Sequence, residues 1–96
     1  MSEGWKAGSA VEFLGLTESE VALVELKLAL VDTVRRTRQK RGWSQIDLAQ
    51  RMRSSQSRIA KIEAGDASVS LDLIVRALIA AGANRKDVQQ AFLVLG

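Results

Sequence analysis

SQIDLAQRMRSSQSRIAKIEAG, residues 44–65, holds two short amphipathic segments parted by a tight polar break. In the first, Ile46, Leu48, Ala49 and Met52 recur at helical spacing and supply an apolar side; in the second, Ile59 and Ile62 do so. Two helices crossing steeply at a three-residue turn, here Arg53–Ser55, need a small residue where they meet, and Ala49 is the natural contact. A larger side chain there would force the helices apart at a cost of roughly 1–3 kcal/mol.

Turn signals on either side extend the helical pattern to the whole chain. Gly42 precedes Ser44, Gly65 precedes Ser68 and Ser70, and Gly82 precedes Asn84. Glycine closes a last turn in the left-handed conformation, and a small polar residue accepts an orphan amide hydrogen bond at the next start. Thr17 with Glu20, Ser44 with Asp47 and Asn84 with Asp87 have the spacing of capping boxes, and Leu16 with Val21 that of a hydrophobic staple. Proline is absent and no strand-like alternation occurs. The pattern predicts a compact all-α domain of five helices, at 18–41, 45–52, 56–64, 71–81 and 85–94.

Two parts are expected, an N-terminal arm over 1–15 and a helical domain over 16–96. Glycine, serine and mixed charge dominate the arm, which reads as loose on its own, with Trp5 and a Val11, Phe13, Leu14, Leu16 cluster available to anchor it. The first helix is unusually apolar, ten of the fourteen residues from Val21 to Val34. One side, through Val24, Leu28, Val31 and Val34, is expected to cover the core. Leu23, Leu26 and Leu30 would then seek a second partner, either another copy in a two-fold dimer or the last helix or the arm.

Composition removes most chemistry. Without cysteine or histidine there are no disulfides, thiolate nucleophiles, imidazole bases or ordinary transition-metal sites. No glycine-rich phosphate loop or clustered acid pair appears, so no catalytic residues, no metal and no cofactor are expected, and the chain does not read as an enzyme. It begins at Met1 with no apolar signal segment, and no uncharged run approaches the ~20 residues of a membrane span. A soluble, cytoplasmic protein is the expectation.

Charge points to a polyanion. Between Arg35 and Lys61 stand nine basic residues and one acid, Asp47, a net of +8, while the remainder nets −5. With Ile59 and Ile62 inward, the opposite face of their helix carries Ser57, Lys61 and Ala64, with Ala60 at its edge and Gln56 at its start. Small and polar groups there allow close approach to base edges in a DNA major groove. Gln56 suits adenine, Lys61 suits guanine, the Ala60 methyl suits thymine, and Arg58 on the flank reaches a base or a phosphate. Ser55 reads as the N-cap of that helix. Ser54, Ser55, Gln45, Arg41, Arg51 and Arg53 are candidates for the phosphate backbone.

The segment WSQIDLAQRMRSSQSRIAKIEAG, followed by SLDLIVRALIAAG, resembles the helix-turn-helix of the Cro/C1-type (XRE) regulators over roughly residues 30–82. The resemblance implies a lambda-repressor-like fold in which a residue at Gln45 holds a phosphate and residues at Gln56, Ser57 and Lys61 read bases. It also implies an ion pair between Arg38 and Glu63 behind the recognition helix, and Glu63, on the buried side of its helix, independently needs a cation. Arg53 departs from the pattern, since the family usually has glycine at that turn. The longer run from FLGLTESE through RRTRQKRGWSQ is similar to HigA-type antitoxins, which repress their own operon and bind a small ribonuclease toxin. The expected function is sequence-specific DNA binding by a homodimeric regulator on a palindromic operator, with an antitoxin that neutralises a toxin as the alternative.

Overall fold

The computed structural model describes residues 17–95. The N-terminal arm and the Leu16 half of the expected staple lie outside the described residues. Five helices follow in order: α1 Glu18–Lys40, α2 Gln45–Met52, α3 Gln56–Glu63, α4 Leu71–Ala81 and α5 Arg85–Phe92, then a 3-10 turn at Leu93–Leu95. No strand occurs among the described residues, and the domain is all-α.

The starts of the helices are written in their caps. Thr17, Ser44 and Asn84 each accept from the backbone N–H three residues on, and the acid there accepts in return from the cap backbone. In the Ser44–Asp47 box these bonds measure 3.1 and 2.8 Å. The cap backbone N–H, then the cap hydroxyl, hold the carboxyls of Glu20 and Asp47 below the ordinary carboxylate range. A depressed folded pKa contributes stability that is fully present above the unfolded value, near ~4, and is lost as pH falls through the lowered one. Helicity by circular dichroism is therefore expected to hold level from about pH 7 to 5, and these two boxes to fail only in stronger acid.

The ends share one device. After α1, α2, α3 and α4, a residue at positive φ lets two successive amides reach back to the last-turn carbonyls. Three of these positions are Gly42, Gly65 and Gly82; the fourth is Arg53, at φ 53° and ψ 47°. Its N–H donates to Gln50 O at 3.2 Å and the next amide, of Ser54, to Ala49 O at 2.9 Å. The departure seen in the sequence thus keeps the turn geometry and bears the strain of a Cβ in the left-handed region. Arg53→Gly should stabilise the domain by roughly 0.5–1 kcal/mol, the relief of strain exceeding the added freedom of the unfolded chain. A urea midpoint that falls would count against this.

The core gathers one or two large side chains from each of the first four helices. Leu30 and Val34 of α1, Leu48 of α2, Ile59 and Ile62 of α3, and Ile74 and Leu78 of α4 are essentially inaccessible. Ala49, 3% exposed, lies among them where α2 meets α3. Ala91 brings α5 onto the same cluster.

Two expected apolar faces are corrected. On α1, Leu26 and Leu30 enter the core with Val31 and Val34, while Val24 and Leu28 are 47% and 51% exposed. At 100° per residue the latter two lie roughly 120° and 160° from Leu30, outside the stripe that meets α4. Leu26 and Leu30 are therefore not free to build a dimer surface. On α2, Ile46 is 56% exposed, because it falls about 160° from Leu48 around the helix. The buried side of α2 is Leu48 and Ala49, with Gln45 and Met52 half-buried one turn to either side.

Candidate nucleic-acid interface

The interface is built on a buried ion pair. Glu63, at the end of α3, faces inward, its side chain 4% exposed, and meets Arg38 of α1, 11% exposed. The contact is a two-pronged fork: Nε of Arg38 donates to Oε2 at 2.7 Å and Nη2 to Oε1 at 2.8 Å. The third arm, Nη1, donates at 2.7 Å to the carbonyl of Trp43, just before α2. Glu63 raises the Arg38 pKa above its ordinary value by hydrogen bonding, against the opposing effect of burial. One guanidinium thus joins α1, the entry to α2 and the end of α3.

A second hydrogen-bond chain leads from this pair to the surface. Gln45 Nε2 donates to Glu63 Oε1 at 3.2 Å, and Gln56 Nε2 donates to Gln45 Oε1 at 2.7 Å. The direction of every bond is forced. An ionised carboxylate only accepts, so Gln45 must turn its NH₂ inward and its oxygen outward, and Gln56 must answer with its own NH₂. Gln56 keeps one N–H and its Oε1 free, the donor-acceptor pair that matches the N7 and N6 edge of adenine. The side chain at the tip of α3 is therefore oriented from the core.

Around Gln56 the outward face of α3 is open. Ser57, Arg58 and Lys61 are exposed and Ala60 is half-buried, while Ile59 and Ile62 are fully buried. Ser55 caps α3, its Oγ accepting from Arg58 N at 3.2 Å. Beside this face, Arg58 and Lys61 share a polar cleft of about 400 Å³ with the serines at 55, 57, 68 and 70. Residues 34–82, just over half of the chain, match the family model for the helix-turn-helix. The chain belongs to the XRE-type helix-turn-helix family. No curated protein and no solved structure gives a significant match. In this family α2 and α3 form a DNA-binding unit, so the helix-turn-helix protein is a DNA-binding transcription regulator. No helix among the described residues is long and apolar enough to cross a membrane.

The helix-turn-helix brings Gln45, Gln56, Arg38 and Glu63 into one network and leaves Ser57 and Lys61 beside it. Other candidates are placed differently. Ser54 Oγ is buried without a partner, so it reaches a phosphate only after its side chain rotates. Arg51 does not project freely: its guanidinium lies on the Trp43 ring at 3.7 Å from the centroid. Arg41 lies over the same ring at 5.1 Å and its Nη2 is 3.4 Å from Gly82 O. Trp43 is the residue that sequence reasoning passed over. Its signal was available, an aromatic directly before a cap and eight residues ahead of an arginine on the same short helix. Ser68 and Ser70 were read only as helix starts, although they also border the cleft beside α3.

The stacking carries its own expected result. Trp43→Leu and Arg51→Ala, made singly and together, should show a coupling of about 0.5–1 kcal/mol in urea denaturation. Strict additivity would mean that the arginine merely lies near the ring.

Proposed function

We propose that this protein is a sequence-specific repressor that binds a palindromic operator as a homodimer. The observation that carries the reading is the hydrogen-bond chain from Arg38 through Glu63 and Gln45 to Gln56, because it presents a pre-oriented amide from a helix whose outer face is small and polar. In this reading Gln56, Ser57, Ala60 and Lys61 meet base edges, and Arg58 serves a base or a phosphate at the flank. Gln45, Ser55, Arg41, Arg51 and Arg53 attract the backbone without regard to sequence, joined by Ser54 after rotation. Two recognition helices would enter successive major grooves about 34 Å apart, and repression would follow from covering the promoter. Such a protein acts in the cytoplasm, with no cofactor.

Dimerisation needs an exposed apolar surface that can meet its own copy. The end of the domain formed by α4 and α5 provides one: Ile79 is 71%, Leu93 72% and Phe92 46% exposed. Sedimentation of the protein should show a dimer, and Leu93→Asp should shift it to monomer while the helical content stays. Recognition is tested by selecting DNA fragments with the purified protein, then titrating the enriched sequence by fluorescence anisotropy at about 150 mM salt. Equal affinity for a scrambled duplex would defeat specific recognition.

The antitoxin reading draws on the same exposed Phe92–Val94 turn, which offers a small toxin an apolar docking point. Copurification with the product of an adjacent short gene, at the expense of the homodimer, would favour it.

A further inference from the structure

Away from the DNA-binding face, an apolar groove of about 180 Å³ runs between α1 and the loop from α3 to α4. Leu23, Val24 and Leu28 form its outer wall, 47%, 47% and 51% exposed, and Val31, Ile62 and Val69 form its floor. Three large aliphatic side chains left half in water on one side of one helix ask for a cover. We propose that the chain's own N-terminal segment is that cover, with residues 11–14 folded back along α1 and the Phe13 ring seated in the groove.

The length and the point of attachment favour this occupant. Sixteen residues precede Thr17, and four of the last six before it are Val11, Phe13, Leu14 and Leu16. Thr17 leaves α1 with extended backbone, φ −82° and ψ 166°, and Gly15, two residues earlier, tolerates the backbone of a sharp reversal. Leu23 and Leu28 lie roughly 9 and 17 Å along α1 from Thr17, at about 1.5 Å per residue. An extended strand running back from Gly15 covers about 3.3 Å per residue, so Phe13 comes level with Leu23 and Val24, and Val11 approaches Leu28. Residues 11 and 13 face the same way in an extended chain. A ring also fits the space, since an apolar cavity of about 150 Å³ admits benzene. A second copy or a foreign chain would have to displace a segment tethered a few residues away, whose effective concentration is of millimolar order.

The absence of cysteine makes the test clean. The full chain carrying Phe13→Cys with Val24→Cys, oxidised at low protein concentration, should give an intramolecular disulfide, while Phe13→Cys with Gln89→Cys on α5 should not. A disulfide between two chains would show that the groove belongs to a second copy, and equal yields in both pairs would show no seat at all; either outcome overturns the proposal. As a second reading, Phe13→Ser in the full chain should move the methyl resonances of Leu23, Val24 and Leu28 and leave those of Ile79 and Leu93 in place. Unmoved groove methyls would overturn it equally, whether or not the protein binds DNA.

Discussion

Glu63→Ala should lower the stability of the domain by about 3–5 kcal/mol, the cost of breaking a buried ion pair from one side. The carboxylate is almost wholly shielded, and its removal leaves the Arg38 guanidinium with the Trp43 carbonyl as its one remaining hydrogen-bond acceptor among the described residues. Arginine does not escape by losing its proton, because its pKa is high before Glu63 raises it further. A small domain has about 5–15 kcal/mol in all, so this variant is expected to be partly unfolded at modest temperature. The measurement is a urea transition at unchanged slope. A midpoint loss worth under about 1 kcal/mol would mean that water reaches the arginine and the pair is not desolvated.

The paired replacement Arg38→Met with Glu63→Leu separates stability from recognition. Apolar groups of similar volume often replace a buried pair at little cost, so most of the lost stability should return. Gln45 would still lack its inner acceptor, and with it the bond that fixes which way its amide points. Gln56 would then lose its orientation although the fold is intact. Affinity for a selected operator should stay low while the urea midpoint recovers.

Helix limits were the most legible part of the fold because they are local. A hydroxyl or amide followed by an acid three residues on, and a glycine past the end, act over one turn and need no knowledge of neighbours. Facing was less legible, because it depends on what an element packs against. Ile46 looked like core by composition, yet Leu48 and Ala49 set the inward direction of α2 and put it on the far side. On α1 nearly every position is apolar, so periodicity alone offered two candidate stripes, and contact with α4 selected the one through Leu26 and Leu30. The Arg38–Glu63 contact was expected because an acid on an inward face demands a cation. Trp43 made no such demand, since its place as a platform for Arg51 follows from a chain reversal rather than from spacing.

Gln56→Ala should cost about 1–3 kcal/mol on the selected operator, or roughly five- to 150-fold in affinity, and should relax preference at one base pair in each half-site. The size follows from a two-bond contact made by an amide already held in place, with its second N–H and its oxygen still unspent. Lys61→Ala should behave alike at a different base pair, because its ammonium lies on the same open face. Arg51→Ala, if its stacked guanidinium also touches phosphate, should weaken all duplexes equally and flatten the salt dependence by about one unit. Gln45→Ala distinguishes positioning from contact. If Gln45 acts only on a phosphate, its loss adds to that of Gln56 and leaves base preference intact. If it acts by orienting Gln56, as the 2.7 Å bond between them implies, the two losses overlap and Gln45→Ala relaxes the same base pair. Preference profiles from the two single variants that change at unrelated positions would break the link between the buried pair and base reading.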